Sequence, residues 1–271
     1  MNIVFSHTTA LNLYRYFRAE TGTIKIKQCP TNFILPDKAK QASLAYSKLQ
    51  FDNFIEANNS EILISNINKK HKMKGAEIRT SNLVFPKNSF YSIGDKTYLP
   101  CLELVFYQLS QKFDFASLLL AGMEMCGRYT FSDIFQRSFI SNVSFLTNKN
   151  KLLQYLYQLK KLNKHCNSVN YACKAAAQIG DNSWSPAESQ LYIMLCGNRS
   201  IGAYGIKNMM LNYKIKLSDY SSDMIQQNYV VPDICNPITK IAIEYDSTSF
   251  HEAVSQNQKD KLRMNALHHD G

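Results

Sequence analysis

The apolar positions of the chain fall into blocks of different period. Residues 9–19 (TALNLYRYFRA) repeat apolar side chains at helical spacing, with Thr8 as a candidate cap. Residues 78–99 are richer in β-formers and turn residues, and Gly94-Asp95 reads as a tight turn between two short strands. After Pro100 the stretch LELVFYQLSQKFDFASLLLAGMEMCG predicts two helices ending near Gly127. A further helical stretch covers residues 149–178. The most apolar run, residues 113–126, is broken by Asp114 and Glu124. It is shorter than the ~18 to 20 apolar residues of a membrane span, so it predicts a buried helix.

The polar patch GDNSW at residues 180–184 is the best candidate boundary, separating residues 1–180 from 181–271. Beyond it the pattern sharpens. Ser185-Pro186-Ala187-Glu188 is a helix start, with Ser as cap, Pro in the first turn and Glu three residues after the cap. That helix carries LYIMLC and stops near Gly197, and GAYG at 202–205 is a turn. MMLNYKIKL, YVVPDIC and ITKIAIEYD each read as a strand. A polar Ser- and Asp-rich connection separates the first two, and a short turn at Asn236-Pro237 joins the last two. QKDKLRMNALHH closes the chain as a helix. The expected class is α/β in the α+β sense: a mainly helical N-terminal region, with a winged-helix-like DNA-binding part as a candidate, followed by a mixed sheet flanked by helices.

Charge changes this picture more than composition does. The net charge is +10, and residues 1–185 hold 23 Lys and Arg against 12 Asp and Glu, whereas residues 186–271 hold 8 against 9. The basic character therefore belongs to the first two-thirds, including Lys69, Lys70, Lys72 and Lys74 and the lysines between 149 and 164. Such clusters fit a polyanion such as DNA or RNA, although either run alone also reads as a solvated surface. The seven cysteines are widely spaced and form no C-x-x-C pair, so free, packed thiols are expected rather than a zinc ribbon or a disulfide framework. The N-terminus lacks the charged start, apolar centre and cleavage site of a signal peptide, and the expected compartment is the cytoplasm.

Hydrolysis of a phosphodiester with divalent metals needs hard oxygen ligands converging beside the scissile phosphate. Asp233 and Glu244, eleven positions apart in strands joined by a short turn, become antiparallel neighbours. Strand alternation puts Glu244 and Asp246 on one face and Ile241, Ile243 and Tyr245 on the other, with that second face expected in the core. Two carboxylates on one face at a strand end are unfavourable unless a cation joins them.

Pro232-Asp233, ten intervening residues and then Glu244-Tyr245-Asp246 resemble the PD-(D/E)xK nuclease superfamily, whose fold is restriction-endonuclease-like. Within it, PDICNPITKIAIEYDSTSFH is similar to the very-short-patch repair endonucleases and related small bacterial domains. The resemblance covers about residues 183–271. It implies Asp233, Glu244 and Asp246 as catalytic metal ligands for Mg²⁺ or Mn²⁺, Glu188 as a further carboxylate, and His251 as the site histidine. Asp260 and Arg263 resemble a D-x-x-R pattern on the last helix, with Arg263 as a phosphate clamp. Two departures matter. Asp246 stands where the superfamily has its lysine, and Ser247 where related domains have glycine. The chain also ends where the fold would supply another central strand, so a C-terminally truncated copy, or a fold lacking that strand, is expected. In the N-terminal part, SHTTAL and MEMCGRY resemble the N-terminal halves of abortive-infection antitoxin-type regulators.

Each residue also has a plainer explanation. The capping box accounts for Glu188 without any metal, at about 1 kcal/mol of helix stability. Asp233 is harder to dismiss, because Asp is disfavoured inside a strand. His251 suits acid/base chemistry near neutrality or a surface turn. Lys240 is a candidate substitute lysine or a solvated strand residue, and Trp184 reads as a packing anchor. The expected function is a metal-dependent DNA endonuclease, with DNA as partner and RNA as the alternative polyanion, no membrane, and a homodimer as candidate assembly. The alternative is a non-catalytic, antitoxin-like DNA-binding regulator that retains a degenerate nuclease fold.

Overall fold

In a computed structural model of the chain, residues 2–21, 27–28, 33–49, 60–132, 138–164, 166–245 and 254–270 are described. The protein is of the α+β class and divides into two compact units, Met1–Ile179 and Gly180–Gly271. Among the described residues no helix is long and apolar enough to cross a membrane.

In the first unit, β1 (Ile3–Val4) leads into α1 (His7–Thr21), and β2 (Lys27–Gln28) and α2 (Gln41–Leu49) follow. Next come β3 (Ser60–Ile64), β4 (Ala76–Thr80) and the hairpin of β5 (Phe90–Gly94) and β6 (Thr97–Pro100). The turn of that hairpin falls at the predicted Gly94-Asp95, with Lys96 in the left-handed region. A four-stranded sheet has the order β1-β6-β5-β2, with β1 parallel to β6. Strands β3 and β4 form a separate parallel pair. The apolar stretch after Pro100 forms two helices as expected, α3 (Leu102–Leu109) and α4 (Phe115–Cys126), the second capped by Asp114 and ended at Gly127. A second hairpin, β7 (Tyr129–Phe131) with β8 (Phe139–Ser141), precedes α5 (Lys149–Leu162) and α6 (Asn167–Ala176). The single helical stretch read over 149–178 is thus broken at Asn163, whose side chain turns back onto the Leu159 carbonyl. Helices carry most of the regular structure of this unit. The short strands β1, β3, β4, β7 and β8 went unread because they are buried or lack alternation; all five residues of β3 are buried.

Two polar networks tie α1 to the rest of the unit. Arg15 forms a buried ion pair with Glu124 at 2.6 Å, and Arg18 donates to the carbonyls of Glu124, Gly127 and Tyr129. The helix that starts in SHTTAL and the segment MEMCGRY, read as two separate strings, are therefore joined in the core. At the other end of α1, Glu61 accepts from the Thr8 N–H, from Arg79 and from Lys112, while His7 sits buried at φ +49° with its N–H on Gln108. Lys69, Lys70, Lys72 and Lys74 are exposed on the connection from β3 to β4, with Lys69 paired to Asp37 and Met73 turned inward.

In the second unit the chain runs through α7 (Pro186–Cys196), β9 (Met210–Leu211), β10 (Ile215–Lys216), α8 (Asp219–Ile225), β11 (Tyr229–Val230), β12 (Ile234–Asn236), β13 (Ile241–Ile243) and α9 (Val254–Asp270). Strands β13-β12-β9 form an antiparallel sheet, and β10-β11 a separate antiparallel ribbon. Four sequence expectations need correction. MMLNYKIKL is two strands, broken at Asn212, whose φ of +48° no strand accommodates. YVVPDIC is likewise two, with Asp233 just before β12 rather than within it. The polar connection is α8, capped by Ser218 and held by the Asp270 carboxylate on the Ser218 N–H and the Ser221 hydroxyl. Finally, Ile241 and Tyr245 are half exposed instead of packed in the core. Strand β13 lies at the sheet edge, and the core selects β12, where Ile234 and Cys235 are fully buried.

Six cysteines lie among the described residues, and all are free thiols. Burial lowers the His7 pKa to about 4; Glu61 opposes this, and Arg79 and Lys112 reinforce it. An unfolded histidine titrates near 6.5, so the unfolded chain takes up this proton first. The fold should lose roughly 3 kcal/mol as pH falls from about 6.5 to about 4. Melting temperatures measured across that window should drop for the wild type. The drop should be smaller in His7→Asn, which keeps a side chain tolerant of positive φ.

Candidate functional site

The site begins at the start of α7. Ser185 is extended, its hydroxyl accepts the Glu188 N–H at 3.1 Å, and Pro186 opens the first turn. This fixes Glu188 pointing into the unit, where it is buried. In a capping box the Glu carboxylate returns to the N–H of the cap residue. Here Glu188 Oε2 instead accepts the Trp184 N–H at 2.9 Å, one residue earlier, and the Asn212 side-chain amide at 2.7 Å. Glu188 therefore caps its helix and also reaches across to another element.

Asn212 is the second component. The left-handed region is accessible to Asn, and in it the backbone turns away from β9 while the side chain points inward. Its N–H donates to the Asp233 carbonyl at 2.9 Å. Its side-chain nitrogen also donates to the Asn182 carbonyl, and Asn182 returns a bond to the Asn212 carbonyl at 3.2 Å. Asn182, itself at φ +73°, receives the Trp184 indole N–H on its side-chain oxygen. The turn that carries Asn182 starts at Gly180, where a Cβ would come within 2.8 Å of Leu211 and the Tyr192 ring.

Asp233 and Glu244 form the third component. The register Ile234↔Ile243 places residues 233 and 244 opposite each other. Each carboxylate accepts a backbone N–H from the other strand: Asp233 N–H to Glu244 Oε2 at 3.3 Å, and Tyr245 N–H to Asp233 Oδ2 at 2.7 Å. Arg263 of α9 reaches both the Glu244 carboxylate at 3.5 Å and the Val231 carbonyl at 3.4 Å. Asp233 also lies near enough to Glu188 for the charges to oppose each other. Burial raises the Glu188 pKa, the hydrogen bonds from Trp184, Asn212 and Ser185 lower it, and the Asp233 charge raises it again.

The fold thus joins Glu188 to the Asp233 backbone through Asn212, and sets Asp233 against Glu244, which Arg263 reaches. Asp246 and His251 lie outside the described residues, as does the Asp260 side chain. Lys240 does not reach the carboxylates as a substitute lysine: it sits in the β12–β13 turn at φ +56° with its ammonium 3.4 Å from the Asp270 carbonyl. His269 stacks on Tyr220 and bonds Ser221, a packing role at the end of α9. Among the described residues no group of three or more His, Cys, Asp and Glu is arranged to hold a metal ion. The donors present are hard carboxylate oxygens, and Mg²⁺ is commonly held by one or two carboxylates, water and substrate phosphates. Asp233 and Glu244 supply oxygens of that kind, whereas the Oε2 of Glu188 is already taken by Trp184 and Asn212. Sequence reasoning missed Asn212 and Asn182; the one available signal was an Asn inside an apparent strand, where it is disfavoured.

The chain matches no family model, no curated protein and no solved structure in comparison with known proteins.

Because folding raises the Glu188 pKa, the charged form costs stability as pH rises from the ordinary carboxylate range. Glu188→Gln keeps an acceptor for Trp184 and Asn212 without the charge. It should melt at or above the wild-type temperature at pH 7, with the difference closing as pH falls below about 4. Glu188→Ala should lose about 1–3 kcal/mol, because the Trp184 N–H and one hydrogen of the buried Asn212 amide lose their acceptor. Thermal denaturation of both variants across pH checks this.

Proposed function

We propose that the C-terminal unit is a metal-dependent endonuclease that hydrolyses DNA phosphodiester bonds with Mg²⁺ or Mn²⁺, within a restriction-endonuclease-like PD-(D/E)xK fold. The observation that supports this reading is the pairing of Asp233 with Glu244 across the β12–β13 hairpin, with the Asp233 backbone tied through Asn212 to Glu188. Asp233 and Glu244 would be the metal ligands and Glu188 an outer ligand. Asp246 would be a ligand or base positioner, and His251 the acid/base group. The metal, when bound, polarises the phosphoryl oxygen and acidifies the attacking water. Arg263, which lies beside Glu244, would clamp a phosphate oxygen. The exposed Lys69, Lys70, Lys72 and Lys74 would hold backbone phosphates without reading sequence. RNA, which offers the same phosphodiester, is the alternative substrate. The cytoplasm is the compartment, and a homodimer the assembly to test.

A second reading has its own support. The inward oxygen of Glu188 is already satisfied by Trp184 and Asn212, and the described carboxylates make no three-ligand cluster. A non-catalytic, antitoxin-like DNA-binding regulator that keeps a nuclease-like fold would look the same there.

Incubation with supercoiled plasmid and Mg²⁺ or Mn²⁺ separates the two. The nuclease reading expects nicking that is abolished by EDTA and lowered about a hundredfold or more by Asp233→Ala. DNA binding that is unchanged by chelator, with no cleavage under either metal, would establish the regulator.

A further inference from the structure

The β10–β11 ribbon presents two unlike faces. Its register pairs Ile215 with Val230 and Lys216 with Tyr229. Val230 and the following Leu217 are buried with Ala266 of α9, and Met224, Ile225 and Leu267 pack around them. Because side chains alternate along a strand, the opposite face carries Lys214, Lys216 and Tyr229. All three are exposed, and the Lys214 ammonium lies 4.6 Å from the centre of the Tyr229 ring. The ring holds the lysine out along the ribbon instead of leaving it to wander.

The segment leading into and through β10 is basic, although the unit as a whole is not. The acidic side chains near the ribbon, Asp219 and Asp223 of α8 and Asp270 of α9, are not on β10 or β11. Residues 189–218 contain Arg199, Lys207, Lys214 and Lys216 and no Asp or Glu. Tyr213, also exposed, stands at the root of the ribbon. It directly follows Asn212, the residue bonded to both Glu188 and the Asp233 backbone. The Cα atoms of residues 212 and 214 are at most about 7 Å apart, so a ligand held at Lys214 lies beside that turn.

We infer that the outer face of the β10–β11 ribbon is a nucleic-acid contact surface. Lys214 and Lys216 neutralise successive phosphates, and Tyr229 receives an unstacked base or a sugar. This rests on the reading of the second unit as a domain that acts on nucleic acid, and it adds the surface that delivers the strand to the carboxylates. A two-stranded ribbon is of a size the major groove admits, and an exposed aromatic flanked by cations is the usual platform for an unpaired base. Duplex and single strand therefore share the lysines and differ in their use of Tyr229.

The test is fluorescence anisotropy of a labelled DNA oligonucleotide, single-stranded and as a duplex, titrated with full-length protein in EDTA at several salt concentrations. Lys214→Ala/Lys216→Ala should weaken binding of both forms about tenfold or more. It should also flatten the salt dependence by close to two charge equivalents, at ~0.9 per phosphate for duplex and ~0.7 for single strands. Tyr229→Leu should weaken the single strand about fivefold or more and the duplex less. Lys38→Ala/Lys40→Ala, exposed and outside both basic runs, is the control and should change little. Circular dichroism confirms that each variant is folded. Wild-type-like binding by the ribbon variants, an equal loss in the control pair, or no binding by the wild type would each overturn the proposal. Chelator removes cleavage from the measurement, so ribbon-dependent binding by a protein that never nicks plasmid would remove the nuclease reading alone.

Discussion

The arrangement of the second unit depends on one residue held in the left-handed region. At Asn212 the backbone leaves β9 and re-enters a strand three residues later in a different sheet. The side chain freed by that turn points inward, where its amide meets Glu188, and its backbone N–H meets the strand that carries Asp233. Left-handed geometry costs most residues about a kcal/mol or more, whereas Asn tolerates it with little strain. Asn182, in the same conformation, completes the pair by exchanging bonds with Asn212. A helix start, a strand end and a hairpin are joined here by hydrogen bonds rather than by apolar packing.

That choice shapes the chemistry. Glu188 is buried and held by two donors, so its position is fixed, but its charge is costly and opposed by Asp233. Asp233 and Glu244 each give one oxygen to the opposing strand, and Arg263 comes against Glu244 from α9. The ribbon that follows Asn212 carries two of this nearly neutral unit's lysines, Lys214 and Lys216, on one face. The carboxylates and the ribbon lysines thereby lie on separate segments.

Much of this was legible in the residues, for identifiable reasons. Ser185, Pro186 and Glu188 fix a helix start by local hydrogen bonding alone, and α7 begins where they put it. Asp114 and Gly127 bound α4, and the Gly94-Asp95 turn joins β5 to β6, again by local chemistry. The antiparallel pairing of β12 with β13, which sets Asp233 against Glu244, follows from a short turn. Elements made by distant partners were not legible. The parallel β3–β4 pair, the Arg15–Glu124 ion pair and the Glu61 cluster join residues far apart in sequence. Asn212 was hidden because apolar residues on either side mimic one continuous strand. The half-exposed Ile241 and Tyr245 show the same limit: alternation specifies two faces, but which one is covered depends on neighbours the pattern does not contain.

The most direct test is metal binding itself, measured without substrate. Mn²⁺ free in solution gives a sharp electron paramagnetic resonance signal that is quenched on coordination. Titration of wild-type protein should remove that signal at a stoichiometry of at least one Mn²⁺ per chain, and Asp233→Ala/Glu244→Ala should leave it standing. Equal signals from the two proteins would contradict the assignment of these carboxylates as a cation site.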